Sequence, residues 1–142
     1  MTVEILPARD VDDELVAAFA RLLPQLSRSA APLDAAALRA LVAWPGTHLL
    51  LARVDGTIQG TLTLVTFPIP TGLRAWIEDV VVDGSARGRG VGAALTEEAI
   101  RVARAAGART VDLTSRPSRG AANRLYERLG FERRDSTVYR LA

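Results

Sequence analysis

Cysteine and lysine are absent from these 142 residues, and His48 is the only histidine. Without cysteine there are no disulfides, no thiolate metal sites and no cysteine nucleophile. That absence is compatible with a reducing compartment, and a cytoplasmic location is the expectation. Without lysine, no Gly-Lys-Ser/Thr sequence can close a Walker A phosphate loop. Aromatic residues are scarce, at 5%, so a basic surface interleaved with stacking rings is a poor fit and no nucleic-acid partner is expected. No apolar run is long enough to cross a membrane. The first residues, Met1-Thr2-Val3-Glu4, place no basic segment before an apolar stretch, so neither a signal peptide nor a membrane partner is expected.

What is present describes an ordinary globular chain. Hydrophobic residues make up 49% and charged residues 24%, and the length fits one domain, residues 1–142, with a sizeable core. The sequence pI is about 9.9, yet the net charge is only +2 at pH 7. All 18 basic side chains are arginines, which do not deprotonate. The titration curve is therefore shallow above neutrality and crosses zero late. The arginines are spread among acids rather than gathered in a run.

Periodicity and punctuation divide the chain into eleven elements. Val3–Leu6 reads as a strand ended by Pro7. Asp10 is the expected N-cap of a helix from Val11 to about Leu23, with Leu15, Phe19, Leu22 and Leu23 on its apolar face. Pro32–Ala43 is a second helix, stopped by Pro45-Gly46. Thr47–Val54 and Thr57–Thr66 are strands joined by the hairpin signal Asp55-Gly56. Phe67–Gly72 is expected to be a loop, and Arg74–Val82 a strand. Gly88–Ala106 is the main helix, with Val91, Leu95, Ala99, Val102 and Ala106 inward, a Glu97–Arg101 pair outside and Gly107 at its C-terminus. Thr110–Ser115 is a strand and Ala121–Leu129 a short helix. Phe131–Asp135 and Thr137–Leu141 are expected to form a final antiparallel pair. The order β-α-α-β-β-β-α-β-α-β-β implies an α+β fold. Its mixed, mostly antiparallel sheet carries helices on its faces and one parallel β-α-β crossover.

The crossover contains the stretch Arg87-Gly88-Arg89-Gly90-Val91-Gly92-Ala93. Alternate glycines let a backbone turn tightly and approach a ligand. A helix N-terminus adds free N–H groups and a positive dipole end, which together favour an anion. The two arginines can add charge-assisted contacts to phosphate oxygens. A dinucleotide-binding turn fits Gly88, Gly90 and Ala93, with Asp112 about 20 residues on. In that motif, however, the turn follows its strand directly, whereas Asp83–Ala86 intervene here. Too little chain remains after Asp112 for further β-α-β units. The third reading is Arg/Gln-x-x-Gly-x-Gly/Ala, met by Arg87, Gly90 and Gly92.

That pattern resembles the coenzyme A loop of the GNAT superfamily of N-acetyltransferases. The resemblance covers nearly the whole chain through its element order. It is reinforced by Asn123-Arg124-Leu125-Tyr126-Glu127-Arg128-Leu129-Gly130-Phe131, which is similar to the superfamily's second motif, an Asn followed by Tyr three residues later and then Gly-Phe. The resemblance implies acetyl-CoA as co-substrate, no metal, and an amine-bearing acceptor. Homodimers are common in the superfamily, so a homodimer is an expectation that it carries.

By position, the backbone of Val80, Val81 and Val82 would pair with the pantetheine arm like an added strand, in a slot where this strand splays from Thr110–Ser115. The N–H groups of Arg87, Gly88, Arg89, Gly90, Val91, Gly92 and Ala93 would hold the pyrophosphate, and Asn123 would contact the pantetheine end. Tyr126 matches the tyrosine that protonates the departing thiolate. Glu78 matches the position of a proposed base in members whose strand also reads Glu-Asp. Strand alternation is expected to send Glu78 and Asp79 to opposite faces. His48 lies far from this site in the pattern and reads as structural, so a Ser-His-Asp triad finds no support. A coenzyme A-binding module of the same fold without catalytic activity is the alternative function.

Overall fold

A computed structural model describes residues 1–142. Five strands form one sheet in chain order: β1 (Val3–Pro7), β2 (Thr47–Val54), β3 (Thr57–Ile69), β4 (Gly72–Val82) and β5 (Thr110–Asp112). The first four pair antiparallel, and β4 pairs parallel with β5. There are four helices, α1 (Asp13–Leu26), α2 (Ala35–Ala43), α3 (Val91–Ala105) and α4 (Gly120–Arg128), of which the first three pack on the sheet. None is long and apolar enough to cross a membrane.

Alternation in the strands divides the core into two clusters. On one face Leu50, Ala52, Leu62, Leu64, Ala75 and Ile77 pack against Val91, Leu95, Ala99 and Ala103 of α3. On the other, Leu49, Leu51, Ile58 and Val81 pack against α1 and α2 through Leu15, Phe19, Leu22 and Leu38. Neighbouring residues of β2 thus serve opposite layers, as the two-residue repeat of a strand requires.

Several boundaries differ from the sequence expectation, each for a local reason. The N-cap of α1 is Asp12, not Asp10: its carboxylate accepts the Leu15 N–H at 2.9 Å. Asp10, Asp12 and Asp13 offer alternative caps, and packing of Leu15 and Phe19 selects among them. α1 runs past Leu23 to Leu26, with Pro24 inside it, and closes with the Ser27 N–H on the Leu23 carbonyl at 3.0 Å. The start of α2 is set by Asp34, which accepts from the Ala37 N–H at 2.8 Å, so Pro32 and Leu33 precede the helix. In α3 the buried residue near the end is Ala103, while Ala106 is exposed. Arg101 there pairs with Glu98 rather than Glu97.

Two expected elements are replaced. Phe67–Gly72 is not a loop: β3 and β4 stay paired through Pro68↔Leu73 to Ile69↔Gly72, leaving Pro70-Thr71 as the turn. The β2 partner ends opposite Val65, so Pro68 sits where β3 has one neighbour and its missing N–H is tolerated. The final antiparallel pair is absent, and Phe131–Ala142 forms no strand. That segment is exposed from Glu132 onward, and a two-stranded ribbon without a face to pack on is marginal in water.

Candidate active site

Where β4 meets β5 the sheet opens. Their parallel pairing runs from Arg74↔Thr110 to Trp76↔Asp112 and stops there. β5 ends at Asp112 rather than Ser115, while β4 continues to Val82. Beyond Trp76 one edge of β4 faces no strand, so its backbone groups are available to an extended ligand. Val81 is buried on the side of α1 and α2, and Val80 and Val82 pack against the α3 cluster. Just past β5, the buried Ser115 hydroxyl has no hydrogen-bond partner.

Within the same stretch β4 carries a bulge. Thr63 pairs with Glu78 and Thr61 with Val81, so three steps of β4 oppose two of β3. The extra residue is Asp79, at φ 50°, a left-handed conformation that aspartate tolerates better than most residues. The bulge overturns the expected alternation of Glu78 and Asp79. Ala75 and Ile77 face α3, so Trp76 and Glu78 face α1 and α2, and Asp79 lines a cavity on that same side. The Trp76 indole N–H donates to Glu78 Oε1 at 2.7 Å, which fixes the carboxylate along the strand.

At the far end of β4 the chain enters the glycine-rich loop. None of the N–H groups from Arg87 through Ala93 has an acceptor within the chain. Gly88 and Gly90 have φ of 76° and 80°, the left-handed region where a side chain is strained. Gly90 is the N-cap of α3 and supplies no capping side chain. The first turn of α3 therefore points its free N–H groups outward, an anion-binding arrangement. The Arg87 guanidinium donates to the Val82 carbonyl at 3.2 Å, which ties the loop to the strand end.

The loop is also anchored from behind, through residues the sequence did not single out. Asp83 accepts from the Ser85 N–H at 2.9 Å, the Ser85 hydroxyl at 2.8 Å and Gln25 Nε2 at 3.1 Å, and pairs with Arg21 at 3.3 Å. Gln25 Oε1 accepts the Gly84 N–H at 3.0 Å. Arg21 and Gln25 lie one turn apart on α1, but nothing in their local pattern pointed to a contact 58 residues away. The hydrogen bonds from Ser85, then that from Gln25, hold the Asp83 carboxyl down at about 2, with the Arg21 charge adding less. A depressed carboxyl contributes stability that is complete above its unfolded value and lost as pH falls through the folded one. Asp83→Asn is accordingly expected to flatten the fall in melting temperature between about pH 4 and pH 2. Identical wild-type and mutant slopes in a pH series of thermal melts would count against this anchoring.

On the opposite wall, α4 presents the second motif. A Cβ built on Gly92 would lie 3.8 Å from Leu125 and 4.0 Å from Val82, so α4, the start of α3 and the end of β4 converge there. Asn123 donates from Nδ2 to the Arg116 carbonyl at 3.1 Å, which ties α4 to the loop before it and leaves the amide oxygen free. Tyr126 is half-buried and meets Phe131 edge-on, with ring centroids 5.9 Å apart. Burial raises its phenol above the usual tyrosine range, partly opposed by the positive charge of Arg119. The hydroxyl stays protonated at neutral pH, the form a proton donor needs. His48, by contrast, contacts Thr66 at 3.2 Å, on the β2–β3 hairpin.

Comparison with known proteins follows the same outline. A family model described as the acetyltransferase (GNAT) family matches residues 11–131. A protein of Agrobacterium tumefaciens str. C58, assigned as an acetyltransferase, has a similar structure with a TM-score of 0.85 and 27% identity. That match covers 98% of this chain and 99% of the other. A transcriptional regulator from Bacillus halodurans C-125 is 30% identical at a TM-score of 0.78, covering 99% of this chain and 100% of its own. A ribosomal-protein-alanine N-acetyltransferase from Brucella melitensis biovar Abortus 2308 shares the fold at 24% identity and a TM-score of 0.81, covering 100% and 99%. No curated protein matches by sequence. The family match spans the open strand, the glycine loop and α4 together, and the chain belongs to the acetyltransferase (GNAT) family.

Proposed function

We propose that this protein is an N-acetyltransferase that passes the acetyl group of acetyl-CoA directly to a primary amine. The observation that carries the reading is the run of unpartnered N–H groups from Arg87 through Ala93, set beside the open edge of β4. A diphosphate fits the first and an amide-bearing arm fits the second, and the two adjoin in one slot. Without a cysteine, no thiol-acetylated enzyme can form, which favours direct transfer with donor and acceptor bound together.

Acetyl-CoA supplies a thioester-activated acetyl group; its transfer forms a C–N bond, breaks the C–S bond and leaves a free thiol. The residues divide the remaining work. Val80, Val81 and Val82 offer backbone groups to the pantetheine arm, and the loop from Arg87 to Ala93 holds the diphosphate. Asn123, with its amide oxygen free, contacts the arm near its reactive end. Glu78, held by Trp76, removes a proton from the substrate ammonium, directly or through one water. Tyr126 gives its phenolic proton to the sulfur as it leaves.

Tyr126→Phe tests the assignment. The ring and its contact with Phe131 remain, and only the proton is lost. A fall in kcat of on the order of 10²-fold is expected, with acetyl-CoA affinity little changed. Thiol release and calorimetry read the two quantities separately. An unchanged kcat under chemistry-limited conditions would make Tyr126 a packing residue. Normal acetyl-CoA binding with no thiol release for any amine would instead favour a non-catalytic coenzyme A-binding module.

A further inference from the structure

We propose that Gln25, in the last turn of α1, is a positioning residue for the glycine loop: its side-chain amide fixes where the run of free N–H groups begins, and donor affinity depends on it. This rests on the transferase reading and adds to it a residue, far away in sequence, that donor binding requires. The loop changes character at one point. The N–H groups of Asp83, Gly84, Ser85 and Ala86 are all taken: by the Gln59 carbonyl at 2.7 Å, Gln25 Oε1 at 3.0 Å, Asp83 Oδ1 at 2.9 Å and the Asp83 carbonyl at 2.9 Å. From Arg87 through Ala93 none is taken. The tied residues include a single 3₁₀ turn, Gly84–Ala86, too short to hold a direction without outside contacts. Ala86 seats the end of that turn in the α3 core, and Gln25 holds its start from α1, on the other face of the sheet.

An amide is the group that meets both demands at this place. Gly84 presents a donor and Asp83 a carboxylate, so the group between them must accept from one and donate to the other. Gln25 accepts with Oε1 and donates from Nε2 to Asp83 Oδ2 at 3.1 Å. Nε2 also donates to the Arg21 carbonyl at 3.2 Å. With both amide hydrogens used and Oε1 engaged, the amide has one orientation. A carboxylate here would accept from Gly84 but repel Asp83, and a cationic side chain would suit Asp83 but leave Gly84 without an acceptor. The two Asp83 oxygens are divided in turn. Oδ1 takes both Ser85 donors, while Oδ2 faces Gln25 and Arg21. Gln25 therefore acts on the donor through Asp83 and Gly84.

Calorimetric titration with acetyl-CoA tests this. Gln25→Leu removes both contacts and should weaken affinity by about 10-fold, the scale of one lost hydrogen bond to a charged group. Gln25→Glu should weaken it as much, because it sets an acceptor against Asp83 Oδ2. Adding Asp83→Asn to Gln25→Glu reverses the polarity of the pair. The new carboxamide keeps its oxygen for Ser85 and donates to the new carboxylate, so affinity should return to within about 3-fold of wild type. Asp83→Asn alone should weaken binding, whereas simple repulsion of the diphosphate by the loop base predicts that removing this charge tightens it. In thiol release, KM for acetyl-CoA should follow the affinity, while kcat at saturation and KM for the amine stay within about 3-fold. Unchanged affinity in Gln25→Leu and Gln25→Glu, no recovery in the double variant, or tighter binding by Asp83→Asn would overturn the proposal. A lowered Tm with unchanged affinity would also overturn it, by making Gln25 a stability contact only. Acetyl-CoA binding without thiol release for any amine would overturn the transferase reading, and the same titrations would still decide the role of Gln25. A wild-type protein that binds no acetyl-CoA would overturn both.

Discussion

Gly90→Val is expected to remove detectable acetyl-CoA binding while leaving the chain folded. No atom lies within 4 Å of a Cβ at this position, so the valine does not clash with the protein. The penalty is conformational: Gly90 has φ 80° as the N-cap of α3, and a β-branched residue held left-handed costs at least about 1–2 kcal/mol. The loop can relieve that strain only by rotating, and rotation turns away the N–H groups that the diphosphate requires. A fall in affinity of more than about 10²-fold follows if several charge-assisted hydrogen bonds go together. Gly92→Ala separates this from direct steric exclusion. Its Cβ would make ordinary contacts with Leu125 and Val82, and its backbone is unstrained. A weakened Gly92→Ala protein with unchanged Tm would show that the missing Cβ leaves room for the ligand. Calorimetry on both variants decides, and near-normal affinity in a folded Gly90→Val protein would remove the diphosphate from this loop.

What the sequence made legible was local chemistry repeated at the right spacing. The glycine loop, the Asp55-Gly56 hairpin and the amphipathic stripe of α3 each announce themselves within a few residues, and the structure has all three. The crossover followed from their order. What stayed hidden depends on partners distant in sequence. The bulge at Asp79 is a mismatch of β4 against β3, and neither strand alone records it. Its effect is large, because it brings Asp79 to the α1 and α2 side that simple alternation reserves for Glu78. The brace from Gln25 and Arg21 to Asp83 was equally unreadable, since a Gln on a helix surface has no pattern of its own. The tail after Phe131 shows the reverse error. Thr137-Val138-Tyr139 has strong strand propensity, yet propensity is realised only against a packed neighbour, and Tyr139 is 90% exposed.

The brace also bears on how the two half-sites stay aligned. Leu22 and Leu26 of α1 line a cavity beside the bulge of β4, and Arg21 and Gln25 of the same helix hold Asp83 and Gly84 at the base of the glycine loop. One helix thus braces both ends of the open stretch of β4, the alignment that the proposed transfer between two bound molecules would need.

Glu78→Gln is expected to lower activity at neutral pH by about 10² to 10⁴-fold, the range for loss of a positioned base. Glutamine keeps the length of the side chain, and its amide oxygen can still accept from the Trp76 indole at the 2.7 Å contact. The local geometry therefore survives and only proton acceptance is lost. Raising the pH should restore part of the rate, because more of the amine then arrives already deprotonated. A carboxylate that merely anchors the ammonium would behave differently: KM for the amine would rise while kcat held. That second behaviour is expected of Asp79→Asn, because Asp79 lies at the bulge beside Glu78 and makes no ion pair of its own. The two carboxylates share one face, so position alone does not separate them, and the pH profiles of kcat and kcat/KM for both variants must. A Glu78→Gln profile that overlays wild type beside an inactive Asp79→Asn would transfer the base to Asp79. Full activity in both would leave deprotonation to solvent before the amine binds, and the Trp76–Glu78 contact would then serve only to order the strand.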